Sequence, residues 1–95
     1  MNKNIISLLK AYNLSDAEIQ DLETIEPMIG VISYDNFIQN CNVLVSLGYP
    51  KYELDFLFLS KTYLFVLSKS DLEKELLSLM KKGGFSDLET ALREG

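Results

Sequence analysis

The side chains that could do acid–base chemistry in this chain are carboxylates, because the sequence contains no histidine. Histidine is the commonest general base and the commonest metal ligand in proteins. Asp21 and Glu23 are close enough in sequence to act as a pair, but a catalytic pair needs an environment that moves its pKa values apart. Both residues fall on the polar face of a predicted helix. We therefore expect a protein that is not an enzyme and has no catalytic residues.

Residue patterns that bind metals or phosphates are also missing from the sequence. The single cysteine, Cys41, and scattered carboxylates do not supply a zinc site. The pair Gly83-Gly84 follows a predicted helix instead of opening one after a strand, as a phosphate-binding loop does. The segment Asp35-Asn36 does not continue into a calcium-binding loop. We expect no metal and no cofactor, and we predict that Cys41 is a small buried hydrophobic residue.

Lysines provide the first candidate interaction surface. Lys74, Lys81 and Lys82 fall on one broad face of the last long predicted helix, opposite its leucines. Such a face suits contact with phosphates or with an acidic protein. The alternative is a solvated face whose lysines complement the negative end of the helix dipole.

Acidic side chains provide the second candidate surface. Six of them lie between residues 15 and 36 with no lysine or arginine among them: Asp16, Glu18, Asp21, Glu23, Glu26 and Asp35. Asp16, Asp21 and Glu23 are candidates for docking to a basic partner or to the lysine end of another copy. The alternative is that Asp16 and Glu18 stabilise a helix N-terminus and the others face solvent beside a buried Ile19, Leu22 and Ile25.

Aromatic residues are concentrated in one part of the chain. Six of them fall within 17 residues: Tyr49, Tyr52, Phe56, Phe58, Tyr63 and Phe65. Most aromatic residues at helical spacing are internal, which favours core packing. Because tyrosine is enriched at interface hot spots, Tyr52 is the candidate for an exposed anchor.

The elements that must position these residues are predicted to be helices. Ser15, Ser70 and Ser86 each precede a glutamate by three residues, which is the pattern of a helix-capping box. Pro50 is typical of a first helical turn, and Gly48 and Gly83 are predicted to end long helices. Residues 63–67 are predicted to form a short buried turn or 3₁₀ segment.

The sequence also matches itself when it is shifted by about 35 residues. The identical pairs are Glu18 and Glu53, Leu22 and Leu57, Val31 and Val66, Ser33 and Ser68, Leu44 and Leu79, and Gly48 and Gly83. This pattern predicts a single all-α domain over residues 1–95, built as a short right-handed, solenoid-like stack of about two helix-corner-helix repeats. The segments are a leading helix (1–13), repeat 1 (14–48), repeat 2 (49–84) and a partial terminal helix (85–95).

The repeat unit resembles that of the mitochondrial transcription termination factor (mTERF) family. The residues that carry the resemblance are the Leu-Gly-Tyr joint within 46–54, the Pro-containing corner at 26–29 and the leucine-rich helix at 68–82. The resemblance implies a curved all-α stack of repeats. Members of that family are associated with binding nucleic acid in organelles to control transcription or translation.

The charge of the whole chain bears on the choice of partner. A net charge of −5 disfavours nucleic acid, because phosphate neutralisation supplies most of the affinity of such complexes. We therefore expect a small non-catalytic helical-repeat protein that binds another protein, or itself as a homodimer, through a concave helical surface. The alternative is a nucleic-acid-binding regulator of the mTERF type that uses Lys74, Lys81 and Lys82.

Two hydrophobic segments bear on location. The first ten residues lack the long apolar core of a signal peptide. The window from Leu54 to Leu67 is interrupted by Asp55 and Lys61 and is shorter than the roughly 20 residues of a membrane span. We expect a cytoplasmic protein without a membrane segment.

Overall fold

Helices form every regular element in residues 1–84 and 87–94, the part of the chain that the computed structural model describes. The α-helices are α1 (Lys3–Ala11), α2 (Asp16–Ile25), α3 (Tyr34–Ser46), α4 (Leu54–Ser60), α5 (Lys69–Gly83) and α6 (Leu88–Glu94). Three short 3₁₀ helices lie between them, at Pro27–Gly30, Lys51–Glu53 and Thr62–Val66. The all-α class expected from the sequence is confirmed.

Serine side chains begin α2 and α3. Ser15 forms the predicted capping box, in which its Oγ accepts a hydrogen bond from the Glu18 N–H at 3.1 Å. The Glu18 carboxylate in turn accepts one from the Ser15 N–H at 2.8 Å. Ser33 caps α3 in the same way, with a 3.1 Å bond from the N–H three residues later. These caps satisfy backbone donors that have no partner within the helix.

The start of α5 differs from the prediction. Ser68, with an extended backbone, accepts a hydrogen bond from the Asp71 N–H at 3.2 Å and is the cap. Ser70 already lies inside the first turn, so the predicted capping box at this residue is wrong. The preceding 3₁₀ helix ends at Val66, which leaves two residues before the α-helix begins. The third predicted box begins at Ser86, which lies outside the described residues.

A left-handed residue ends α3, as the sequence predicts. Gly48 has φ 107°, and its N–H donates to the Val45 carbonyl at 3.1 Å while the Tyr49 N–H donates to the Leu44 carbonyl at 3.0 Å. This pair of bonds is the Schellman motif. The end of α1 has the same arrangement, with Asn13 at φ 68° in the glycine position.

The predicted end of α5 is wrong by one residue. Gly83 is the last helical residue, and Gly84 takes the left-handed conformation with φ 66°. Either glycine accepts this conformation without a side-chain clash, so the doublet alone does not locate the end of the helix.

Three phenylalanines join the elements around a common core. Phe37 of α3 stacks on Phe58 of α4 and on Phe65 of the third 3₁₀ helix, with ring centroids 5.5 and 5.3 Å apart. Tyr12 after α1 meets Phe58 edge-on at 5.3 Å. All three phenylalanines are buried, and the predicted 3₁₀ segment is confirmed. Cys41 of α3 is also buried, as predicted.

The long helix α3 lies at the centre of the packing. It contacts α1, α5 and the third 3₁₀ helix, and α6 packs against α5. The first and third 3₁₀ helices also contact each other. This arrangement leaves the end of α2 and the outer face of α5 at the surface.

Candidate protein-binding surface

Three apolar side chains are exposed where α2 turns into the first 3₁₀ helix. Ile25, Met28 and Val31 are 69%, 52% and 73% exposed, respectively; we refer to them as the apolar corner. Val31 follows the 3₁₀ helix as its C-cap residue, and its N–H donates to the Met28 carbonyl at 3.1 Å. Single exposed apolar residues are ordinary, whereas three of them within seven residues of the chain are a candidate contact surface.

The local sequence explains why these residues point outward. Pro27 disfavours a helical conformation at Glu26, which has φ −132° and ψ 87° and ends α2. After this break, Ile29 takes the buried position in the 3₁₀ helix, at 1% exposure. The expectation that Ile25 is buried beside Leu22 is therefore wrong: Ile25 is the last residue of α2, and Ile29 of the 3₁₀ helix takes the buried position instead.

Carboxylates lie beside the apolar corner. We refer to Asp21, Glu23 and Glu26 as the acidic flank; Asp21 and Glu23 are exposed, and Glu26 is half-buried. Asp21 precedes Ile25 by one helical turn and so lies on the same side of α2. The Glu23 carboxylate reaches the 3₁₀ helix, since one of its oxygens is 3.4 Å from the point that a Cβ on Gly30 would occupy. None of the three forms an ion pair within residues 1–84 and 87–94.

Asp16 does not belong to this free acidic group. Its carboxylate forms an ion pair with the Lys10 ammonium at 3.1 Å. Lys10 is in the last turn of α1, and the sequence gives no sign that the tight turn after α1 brings it back to the start of α2. The predicted candidates therefore separate into Asp16, which is paired, and Asp21 and Glu23, which stand beside the apolar corner.

The predicted lysine surface contains an exposed leucine that sequence reasoning missed. Lys74, Leu77 and Lys81 lie on one face of α5, because they are three and four residues apart; we refer to them as the lysine stripe. Leu77 is 59% exposed. Lys82 is exposed on an adjoining face. Within the described residues, none of these lysines forms an ion pair.

Tyr52 lies on a different part of the surface. It is 90% exposed on the second 3₁₀ helix, before the partly exposed Phe56 of α4. The Arg93 guanidinium carbon lies 5.9 Å from the Phe56 ring centroid, and Arg93 also pairs with Glu53 and Glu89. Phe56 therefore already has a cation as a neighbour, whereas Tyr52 has most of its ring in solvent.

A groove of about 660 Å³ lies between the end of α3, α5 and α6. Its apolar lining comes from Leu47, Leu76, Leu77, Met80 and Leu88, and its acidic lining from Glu73, Asp87 and Glu89. The carboxylate of Asp87 accepts hydrogen bonds from the backbone N–H and the hydroxyl of Thr90, and these bonds lower its pKa. Asp87 is therefore occupied with capping α6.

Four further side chains have pKa values that burial shifts. Burial raises the pKa of Tyr12, Tyr49 and Tyr63, and it raises the pKa of Cys41 to about 12. In the described part of the chain, no three His, Cys, Asp or Glu side chains come together as metal ligands would. The surface residues offer apolar contact and charge, in two groups of opposite sign.

Two further findings concern the chain as a whole. Over the described residues, no helix combines the length and the apolar character needed to cross a membrane. Comparison with protein-family models, with curated proteins and with solved structures finds no match for the chain.

Proposed function

We propose that this protein is a non-catalytic protein-binding module and that its partner docks on the apolar corner. The observation that carries the proposal is the group of Ile25, Met28 and Val31, each more than half exposed, beside the carboxylates of Asp21 and Glu23, which form no ion pair among the described residues. Burying such side chains in a complex supplies affinity, and the charged rim selects a partner of opposite sign. The partner is therefore expected to present an apolar anchor flanked by basic residues.

The repeat interpretation belongs to this proposal. Corresponding elements begin 35 residues apart, at Asp16 and Lys51, at Pro27 and Thr62, and at Tyr34 and Lys69. Burial follows the same register, since Ile29 and Leu64 are buried whereas Met28 and Tyr63 are exposed. The contacts of α3 with α1 and α5 join elements that correspond under this shift. These facts support a solenoid-like stack with the segments 14–48 and 49–84 as its repeats, and the right-handed sense of the stack remains part of the proposal.

Nucleic-acid binding is the second candidate function, and the lysine stripe favours it. Lys74 and Lys81 are exposed and free of ion pairs within the described residues, as is Lys82 beside them. This activity is what the mTERF resemblance implies. The net charge of −5 opposes it, because the rest of the surface repels phosphates.

A capture experiment tests the protein-binding function. The purified chain serves as bait in an extract of its source cell, alongside the double variant Met28→Ser/Val31→Ser and the control Leu59→Ser, which changes an exposed apolar residue on α4. The expected result is a partner that the wild type and the control retain and the double variant loses. Equal capture by all three proteins, or no captured partner, would contradict the proposal.

Fluorescence anisotropy with labelled duplex and single-stranded oligonucleotides tests the alternative. Phosphate binding weakens steeply as salt rises, because counterions are released on binding. Binding at low salt that is lost at physiological salt, and that is absent in Lys74→Gln/Lys81→Gln, would establish the lysine stripe as a phosphate-binding surface. No change in anisotropy at either salt concentration would remove this candidate.

A further inference from the structure

The chain carries two surfaces that complement each other. The apolar corner with its acidic flank presents Val31 and Met28 beside the carboxylates of Asp21 and Glu23. The lysine stripe presents the reverse combination, an exposed leucine between two ammonium groups. Each surface has exposed apolar side chains at its centre. The charged side chains around them form no ion pair within the described residues.

The geometry of α5 places Lys74, Leu77 and Lys81 close enough together for one small surface of a partner to contact all three. Lys74 and Lys81 are seven residues apart, which separates them by about 10 Å along the helix axis. Leu77 lies between them on the same side. Glu73 lies next to Leu77 at the edge of the stripe, on the side of the groove lined by α6. Lys74 and Lys81 therefore lie on the side of the stripe away from α6.

The two surfaces do not neutralise each other within one molecule. The ion pairs in the described residues join Lys10 to Asp16 and Arg93 to Glu53 and Glu89. None of them joins α2 to α5. The main packing partners of α5 are α3 and α6, and the first 3₁₀ helix packs against α2 and the third 3₁₀ helix.

We infer that the lysine stripe of one copy docks on the apolar corner of a second copy. This inference rests on the proposed function, and it specifies the partner as the chain itself. In the contact, Leu77 packs against Met28 and Val31 while Lys74 and Lys81 face Asp21 and Glu23. Each contact joins the stripe of one copy to the corner of another in a head-to-tail arrangement, which leaves a free stripe at one end and a free corner at the other. Association therefore continues beyond a dimer as concentration rises.

Two single-residue variants separate the surfaces. Val31→Lys places a positive charge in the corner, opposite the lysines of an incoming stripe. Leu77→Glu replaces the apolar centre of the stripe with a charge that the acidic flank repels. Both side chains are largely exposed, so neither substitution removes core packing, and circular dichroism spectra that match the wild type verify the fold.

Sedimentation velocity and light scattering over a concentration series provide the measurement. The wild type is expected to rise above the mass of a dimer of the 10.8 kDa chain and to dissociate as salt rises, since screening weakens contacts between exposed charges. Each variant alone is expected to stay monomeric. An equimolar mixture is expected to form a one-to-one complex, because Val31→Lys keeps an intact stripe and Leu77→Glu keeps an intact corner.

The outcomes distinguish this inference from the proposed function. A wild type that stays monomeric at every concentration, or variants that associate as the wild type does, would overturn the inference. If the wild type is monomeric but captures a partner that Met28→Ser/Val31→Ser loses, the protein-binding function stands and only the identity of the partner is wrong. If it neither associates nor captures a partner, both are wrong.

Discussion

Asn40 shows how one buried polar side chain connects two elements. Its Nδ2 donates to the carbonyls of Leu64 and Leu67, at 3.0 and 2.8 Å, and Asn36 one turn earlier donates to the Leu67 carbonyl at 3.2 Å. These carbonyls belong to the third 3₁₀ helix and the residue after it. The Asn40 Oδ1 has no partner among the described residues. The Asn40 side chain therefore links α3 to the third 3₁₀ helix and to Leu67, which come just before α5.

Replacing Asn40 by alanine removes both bonds: the Leu64 carbonyl loses its side-chain partner, whereas the Leu67 carbonyl keeps its bond from Asn36. Leaving a buried acceptor unpaired destabilises a protein by about 1–3 kcal/mol, so Asn40→Ala is expected to lower the free energy of unfolding by about 1–3 kcal/mol. Urea denaturation measures the change. Asn42→Ala is the matched control, because Asn42 is exposed on the same helix and should change stability by less than about 0.5 kcal/mol. Equal effects of the two substitutions would contradict this role.

Cys41 is predicted to be unreactive in the folded protein. Burial raises the pKa of its thiol from the ordinary 9.0 to about 12, and only the thiolate is nucleophilic. Modification by Ellman's reagent should be slow in the native state and fast in denaturant. A cysteine introduced at the exposed Ser7, as Ser7→Cys, is the internal standard, and equal native rates for the two thiols would disprove the burial of Cys41.

The same pKa shift gives a pH dependence. The unfolded thiol loses its proton near pH 9.0, whereas the folded one keeps it until about pH 12. The stabilisation from this group is therefore complete below pH 9.0 and is lost as pH rises toward 12. A melting temperature that declines less across this range in Cys41→Ala than in the wild type is the expected signature.

At the scale of the element, backbone conformation determines which of two serines caps α5. Ser68 and Ser70 both precede backbone donors by three residues, but only Ser68 has the extended backbone of a cap. Ser68→Ala should therefore lower the free energy of unfolding by about 1 kcal/mol. Ser70→Ala should change it by less than about 0.5 kcal/mol. Thermal denaturation of both variants measures the difference. A larger effect of Ser70→Ala than of Ser68→Ala would show that Ser70 caps α5, as the sequence predicts.

The elements also show where sequence reasoning is reliable. The box at Ser15, the glycine at position 48 and the short turn or 3₁₀ segment predicted at 63–67 follow from contacts between residues close in sequence. The first two are confirmed, and the third is a 3₁₀ helix at Thr62–Val66, one residue earlier than predicted. The ambiguous cases are pairs of equivalent residues, namely Ser68 with Ser70 and Gly83 with Gly84. For the serines, the 3₁₀ helix that ends at Val66 leaves Ser68 in the extended conformation of a cap.

At the scale of the whole molecule, α6 covers one side of α5. Leu88, Ala91 and Leu92 are buried, and α6 packs on α5. Deleting residues 85–95 should expose this face and lower the free energy of unfolding by about 3 kcal/mol, from two leucines that are no longer buried. Urea denaturation measures the loss. Arg93→Ala is the control, since its ion pairs with Glu53 and Glu89 are partly exposed and their loss should change stability much less than the loss of α6. A truncated chain as stable as the wild type would contradict the packing of α6.

The interaction surfaces were only partly predictable from the sequence. Lys74, Lys81, Asp21 and Glu23 were identified from charge alone, because exposed charge is the ordinary state of these side chains. Leu77 and Val31 were missed, because an apolar side chain is assigned to the core unless its neighbours in space are known. Asp16 was assigned to the free acidic group, although Lys10 neutralises it across a turn.

The sequence by itself determined the helical class, some of the helix ends and the charge of each surface, since spacing, capping and charge are local properties. The tertiary structure decided which apolar residues remain in solvent. Ile25 and Ile29 are the same residue type four positions apart, yet one is 69% exposed and the other is buried. The break at Pro27 and the contact of the first 3₁₀ helix with the third one set that difference, because burial depends on what packs against a face and not on the residue alone.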